Sequence, residues 1–397
     1  MPRKINPTSW IIVIFLMTGW IGIWLGYYFF THGHNYNHSH NIIKALINWD
    51  AGWYMDIVQH GYSYNGNPNL QQNIAFFPLY PIIMKLFSLL FGLRNGISTI
   101  IPSLAIGIIS IYTFHILAAI KLTKKGALFA TAAYALYPGA TFFFSAYPTS
   151  IMNLLVIVTF LAFNNKKYFT AAIATGISTA SGALLVFLSA TISLSYAKTI
   201  LSKRNESINS KIFKIILFGL LSISGIIGFM FFQKISFGTP FAFVDVQKAW
   251  GSDSIPQRLF HIISFYPIFG GGYGGFFRSI FFIEPTNQTP QGSVEFITNT
   301  FVILMAIYST WILYKFKEYL FTLYSFMVVS AYIWFIGSVQ GPSSSFRLLY
   351  IDVPMFIAAG IYYQNSNKTF LSYTFLACSV LSLILQLAFF VSGYWVI

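Results

Sequence analysis

Apolar residues gather in blocks near 10–30, 97–120, 127–146, 149–163, 213–232, 297–313, 320–338, 347–362 and 369–394, with polar residues collected between the blocks. Each block approaches or exceeds the ~20 residues that a helix needs to cross hydrocarbon, where backbone amides must be satisfied within the segment. The pattern predicts an all-α, polytopic membrane protein. The first block starts close to Met1, is too long for a signal peptide and lacks a small-residue cleavage site, so it reads as a retained helix.

The polar intervals are unequal in charge. Lys121, Lys124, Lys125, Lys166, Lys167, Lys198, Lys203, Arg204, Lys211, Lys214, Lys315, Lys317 and Lys368, together with Arg3 and Lys4, flank apolar blocks in short loops. Placing all of them on the cytoplasmic side threads the chain consistently. Residues 31–96 are then external, and the second, third and fourth spans end at Lys121, near Tyr147 and at Lys166. Residues 168–197 go out and back, broken at Thr179-Ala180-Ser181-Gly182, where Gly and Ser weaken helix continuity. A second external segment runs from Gln233 to about Glu295, and the total reaches about eleven spans in a single domain covering 1–397, with the C-terminus outside.

Composition agrees with this reading. Of 397 residues, 56% are hydrophobic and 8% charged, against roughly a quarter charged in soluble domains, and the mean hydropathy is +0.67. The net charge of +14 does not mark a nucleic-acid binder, because the basic residues lie in membrane-flanking loops. Cys378 is the single cysteine, which excludes an intramolecular disulfide. No internal repeat is apparent, unlike many secondary transporters.

Acidic residues number only nine, so each one near a membrane boundary calls for an explanation. Asp50 and Asp56 fall just after the first apolar block, in a stretch from Trp49 to His60 that fits one amphipathic helix on the external surface. Asp50, Trp53, Tyr54 and Ile57 share one face; Asp56 and His60, four apart, share another. Asp50 suits either a helix N-cap or a general base, and the Asp56–His60 pair suits loop ordering as well as catalysis. Phe76-Phe77-Pro78-Leu79-Tyr80-Pro81 returns the chain toward the membrane, and Ile82 to Leu93 fits a second interfacial helix. Arg347 opens a late apolar block after Gly341-Pro342-Ser343-Ser344-Ser345, where an arginine either snorkels to the interface or binds an anion. Asp352, five residues deeper, costs about 2.5 to 3.5 kcal/mol to insert, so it should face a polar cavity or pair with a base such as Arg347. His32, His34, His38 and His40 lack a carboxylate or cysteine partner and read as a solvated loop, not a metal site. Gly270-Gly271-Gly272-Tyr273-Gly274-Gly275 has neither a preceding strand nor a following Lys, which argues for an external loop or lid and against a phosphate loop.

Four segments together resemble the family of the GPI second mannosyltransferase (the PIG-V family) and its bacterial relatives, integral-membrane glycosyltransferases of the GT-C class. They are Trp49-Asp50-Ala51 with His60-Gly61-Tyr62 and Ala75-Phe76-Phe77-Pro78; Phe142-Phe143-Phe144-Ser145-Ala146-Tyr147; Gly238-Thr239-Pro240-Phe241-Ala242-Phe243 with Gln247 and Trp250-Gly251; and Phe346-Arg347-Leu348-Leu349 with Pro354. Two positions depart from the family pattern. Pro148-Thr149-Ser150 stands where Ser-Glu-Ser is usual, and Thr179 or Ala180 where an Arg is usual.

The resemblance implies a GT-C-like helical bundle with interfacial helices in its first external loop. It implies an inverting transfer of a hexose, mannose above others, from a polyprenyl-phosphate sugar to a lipid-linked or glycan acceptor on the non-cytoplasmic face. Asp50 is then the expected base and Arg347 the phosphate ligand. Gln247, Trp250 and Tyr62 become sugar or acceptor contacts, with His60, Asp56 and Asp352 as further binding candidates. A monophosphate donor needs no divalent metal, and no Asp-x-Asp pair of nucleotide-sugar type is present. A lipid-linked sugar transporter or flippase would need similar intramembrane charges, and a non-catalytic assembly subunit would tolerate the missing acid at Thr149.

Overall fold

The computed structural model describes residues 6–30, 41–92, 96–204, 206–251, 253–270, 290–366 and 369–396. The His32 to His40 loop, Arg3, Lys4, Lys368 and all but the first glycine of the Gly270 run lie outside the described residues. Every regular element among the described residues is helical. The helices are α1 (Pro7–Tyr28), α2 (Ile42–Ala45), α3 (Asp50–His60), α4 (Leu79–Phe91), α5 (Ile97–Lys121), α6 (Lys124–Ala135) and α7 (Thr149–Asn164). They continue with α8 (Tyr168–Thr179), α9 (Val186–Leu201), α10 (Ile208–Ser222), α11 (Ser224–Phe237), α12 (Ala242–Asp245), α13 (Ile255–Ile263) and α14 (Tyr266–Phe269). The chain closes with α15 (Pro290–Lys315), α16 (Tyr319–Tyr332), α17 (Ser338–Gln340), α18 (Ser345–Leu348), α19 (Pro354–Asn365) and α20 (Thr369–Val391).

Among the described residues, six stretches are long and apolar enough to cross a membrane: Pro7–Tyr28, Ile97–Lys121, Ala183–Leu201, Gly292–Lys315, Tyr319–Gln340 and Thr369–Val391. Two bent pairs, α10 with α11 at 61° and the Ser345–Ile351 segment with α19 at 86°, raise the number to eight if each is one span. Length and hydropathy therefore yield six to eight crossings, short of the eleven expected. The shortfall falls largely on the blocks at 127–146 and 149–163. Pro138, which has no N–H to donate, and Gly139 follow the end of α6, and the chain continues as a 3₁₀ turn over Pro138–Phe143. Almost every residue from Gly126 to Ser150 is buried, so these short elements satisfy their ends inside protein, where a full span is unnecessary. The break expected at Thr179 to Gly182 is present: α8 stops at Thr179 and a 3₁₀ turn from Ala183 leads into α9.

One packing contact sets the position of everything near the site. Helices α1 and α20 approach so closely that a Cβ at Gly22 would overlap the Ile384 carbonyl, and one at Gly26 the Ala388 carbonyl. Small residues permit such backbone contact between helices in lipid, where van der Waals packing must do what hydrophobic association does in water. Ser392 donates to the Gly26 carbonyl at 2.9 Å and fixes the end of α20. At the opposite end of the bundle, Lys121 pairs with Glu318 at 2.8 Å, and Thr123 donates to Gln364 at 3.0 Å. The basic loops after α5 and α15 thus meet on one face.

Candidate active site

Asp50 owes its position to the residues just before it. Trp49 adopts φ 58° and ψ −123°, a conformation that costs a non-glycine residue about 1 to 3 kcal/mol and persists only when its surroundings over-determine it. Those surroundings are explicit. The Trp49 indole donates to the Tyr394 carbonyl at 2.9 Å and meets the Trp395 ring edge-on at 4.2 Å. The Asn48 amide donates to the carbonyls of Ala45 (3.0 Å) and Phe390 (2.8 Å), and the Tyr147 hydroxyl donates to the Asn48 carbonyl at 3.4 Å. The turn is clamped to the end of α20. Asp50 becomes the first helical residue of α3 and does not cap it: the N-cap is Trp49, without a side-chain cap bond.

The Asp50 carboxylate instead meets Arg347. A guanidinium nitrogen of Arg347 donates to Asp50 Oδ2 at 2.6 Å, and the two side chains are 18% and 17% exposed. Arg347 sits on the short helix α18, which begins after Ser344 in a left-handed conformation (φ 55°). Asn299 of α15 holds that start, its side-chain oxygen accepting from the Ser345 amide at 2.7 Å and the Phe346 amide at 3.3 Å. The guanidinium carbon lies 5.6 Å from the Phe142 ring centre and 5.7 Å from that of Tyr147. Such cation–π contacts contribute about 0.5 to 2 kcal/mol each and restrict the head group. The Arg347 Nε is buried without a hydrogen-bond partner among the described residues.

Both charges line a cavity of about 620 Å³, within the usual size of a small-molecule site. Phe76, Gln247 and Trp250 form a second wall and Trp395 closes beside Asp50. Phe76 meets Trp250 edge-on at 6.2 Å and stacks on Trp53 at 5.9 Å. Gln340 donates to the Trp250 carbonyl at 2.8 Å and ties the two sides of the opening. Helix α15 supplies a third wall with Glu295, 4% exposed, and Asn299. All four motif segments converge here, since the second one supplies the aromatic faces beneath Arg347.

Asp50, Arg347, Gln247 and Trp250, named from sequence, are therefore brought together; four other expected residues do not line the cavity. Asp56 accepts from Asn73 at 2.7 Å and pairs with His60 at 2.8 Å, while Asn73 also reaches the Gly61 carbonyl and the Ser63 amide. These bonds order the loop after α3; the His60 bond first, and then that of Asn73, hold the Asp56 carboxyl below its ordinary value. Tyr62 donates to the Phe76 carbonyl at 2.9 Å and packs on Phe229 and Phe232, and its burial pushes the phenol up. Asp352 is fully buried, but it accepts from Ser325 at 2.6 Å and has no bond to Arg347. The sequence reading did not single out Glu295, Asn299, Phe296, Gln340 or Trp395. No group of three His, Cys, Asp or Glu that could hold a metal stands together among the described residues.

No protein-family model matches the chain. A curated relative, human GPI alpha-1,6-mannosyltransferase 2, is 27% identical over 124 residues, covering 29% of this chain and 24% of that protein. The crystal structure of the Archaeoglobus fulgidus oligosaccharyltransferase in the apo form superposes on 98% of this chain and 56% of its own, with a TM-score of 0.52 and 13% identity. The chain has a GT-C-like fold. The curated match bears out the resemblance to the GPI mannosyltransferase family over part of the chain, and the solved structure bears out the fold. The chain spans about a quarter of the length of the human relative and about half that of the archaeal structure.

Proposed function

We propose that the protein is a polytopic membrane glycosyltransferase that moves a hexose, mannose by its relationship, from a polyprenyl-phosphate donor to a hydroxyl of a lipid-linked or glycan acceptor. The observation that carries this reading is the Asp50–Arg347 pair on the wall of a cavity lined by three of the motifs, with the fourth, Phe142 to Tyr147, packed against the guanidinium. The acceptor oxygen attacks the anomeric carbon from the face opposite the phosphate. The bond from that carbon to the phosphate oxygen breaks, polyprenyl phosphate leaves, and the configuration inverts. Asp50 takes the hydroxyl proton, and Arg347 meets the charge that builds on the departing phosphate. Trp250, Trp395 and Gln247 offer ring faces and an amide to sugars. With one phosphate to neutralise, the guanidinium serves where a nucleotide-diphosphate donor would call for a metal ion, so the reaction is proposed to be metal-independent. The basic loops support a cavity on the non-cytoplasmic face, and a chain of about eleven crossings follows if α6 to α9 each count as one.

Incubating the purified protein with polyprenyl-phosphate mannose and a panel of lipid and glycan acceptors tests the proposal. Mannosylated acceptor with stoichiometric polyprenyl phosphate, formed without any gradient, is the expected outcome. Movement of unmodified lipid-linked sugar across vesicles without product would replace the enzyme with a transporter.

A further inference from the structure

Asp50 and Arg347 must act on different atoms in the proposed reaction, yet each occupies the other: Oδ2 and the guanidinium nitrogen are 2.6 Å apart. The contact uses one prong of a guanidinium that has several. Only one of its nitrogens bonds Asp50, and Nε has no partner among the described residues. A guanidinium is best satisfied by an anion that takes two N–H groups at once, as phosphate oxygens do. The two partners also differ in freedom. Arg347 is held over Phe142 and Tyr147 and at the start of α18 by Asn299. Asp50 has a fixed backbone through Trp49 and Asn48, and its carboxylate accepts the Arg347 hydrogen bond.

We infer that the pair is an exchange latch that sets the order of binding, a reading that rests on the proposed transferase site. The non-bridging oxygens of the donor's phosphodiester, which farnesyl phosphate also offers, displace Asp50 from Arg347, and the released carboxylate turns toward the cavity, where it can accept the acceptor's proton. Donor binding thereby creates the base, and the acceptor binds productively only afterwards. The latch also keeps Asp50 from activating water before a donor is seated.

The test measures binding of farnesyl phosphate, with farnesol as the uncharged control, to the full-length protein in detergent by calorimetry. Asp50→Asn removes the competing charge and should tighten farnesyl phosphate about tenfold or more, leaving farnesol unchanged; Arg347→Ala should lose the phosphate preference in either background. Equal or weaker farnesyl phosphate binding in Asp50→Asn overturns the latch, as does an undiminished phosphate preference in Arg347→Ala. Because Asp50→Asn can itself disturb folding, a second measurement uses the wild type. Its infrared difference spectrum with ¹³C-carboxyl aspartate should show a carboxylate band shift on adding farnesyl phosphate that Arg347→Ala lacks, and an unshifted spectrum overturns the idea. Neither readout needs turnover. A protein that shows the exchange but transfers no sugar removes the transferase reading instead.

Discussion

Asp50 and Arg347 stood out in the sequence because charge is scarce in this chain, and a scarce charge beside an apolar block must have a partner. Their pairing makes the consequences of substitution specific. Asp50→Asn keeps an acceptor for the Arg347 N–H but loses basicity, so transfer should fall ~10² to 10⁴-fold while the protein still inserts; near-normal turnover would move the role to another carboxylate. Arg347→Lys should raise the apparent donor KM nearly as much as Arg347→Ala, because an ammonium cannot reproduce a two-pronged contact. The loss of such a charge-assisted bond is about 1.5 to 3 kcal/mol. Asp56 predicts a pH effect of the opposite kind, structural and not catalytic. Its carboxyl lies below the ordinary value of 3.8 through His60 and Asn73, so the stabilisation is present above that value and is lost as pH falls through the lowered one. Hydrogen exchange of the Ser63 to Gln72 amides should therefore stay slow at pH 5 and accelerate below about pH 3.8, with an early loss near pH 5 contradicting the assignment. Asp50 and Arg347 were legible one residue at a time; Glu295 and Trp395 were not. Nothing local marks Glu295, which reads as the edge of an external stretch, or Trp395, which reads as an ordinary interfacial aromatic, until α15 and α20 are brought against α3.

At the scale of elements, hydropathy located helices better than it measured them. The α8–α9 break was visible because Ser181 and Gly182 interrupt an apolar run, and a polar or flexible interruption is a local signal. The early end of α6 was signalled by Pro138 but overridden by the apolar block around it, since hydropathy cannot distinguish burial in protein from burial in lipid. Interior burial is what Leu136 to Tyr147 achieve. Short α18 was likewise hidden at the start of a block at 347–362, although it carries the arginine that pairs with Asp50. Its register depends on Asn299, whose side-chain oxygen accepts the Ser345 amide and hydroxyl at 2.7 and 2.8 Å. Asn299→Ala leaves those buried donors without this partner and should cost about 1 to 3 kcal/mol. A lowered thermal midpoint accompanied by a raised donor KM is the expected result, whereas an unchanged donor KM would mean that α18 holds its place without Asn299.

For the whole molecule, sidedness is the property on which the proposed reaction depends. The cavity lies at one end of the bundle and the Lys121–Glu318 pair at the other, so one labelling experiment fixes both. In a Cys378→Ala background, cysteines at exposed Asn67 and Lys248 should react with an impermeant reagent from outside, and one at exposed Arg204 should not. Labelling at Arg204 together with either of the others breaks the threading. The clamp on Asn48 and Trp49 carries a further consequence, one of timing. The Asn48 amide and its Phe390 partner are 342 positions apart, and at ~5 to 20 residues per second a ribosome needs roughly 17 to 70 s to make the intervening chain. Through that interval α3 waits on the nascent protein with its strained Trp49 turn lacking its partners at Phe390, Tyr394 and Trp395. The carboxylate the cell makes first is thus among the last parts of the site to be set in place, and under the proposed reaction a half-made chain in the membrane has no positioned base.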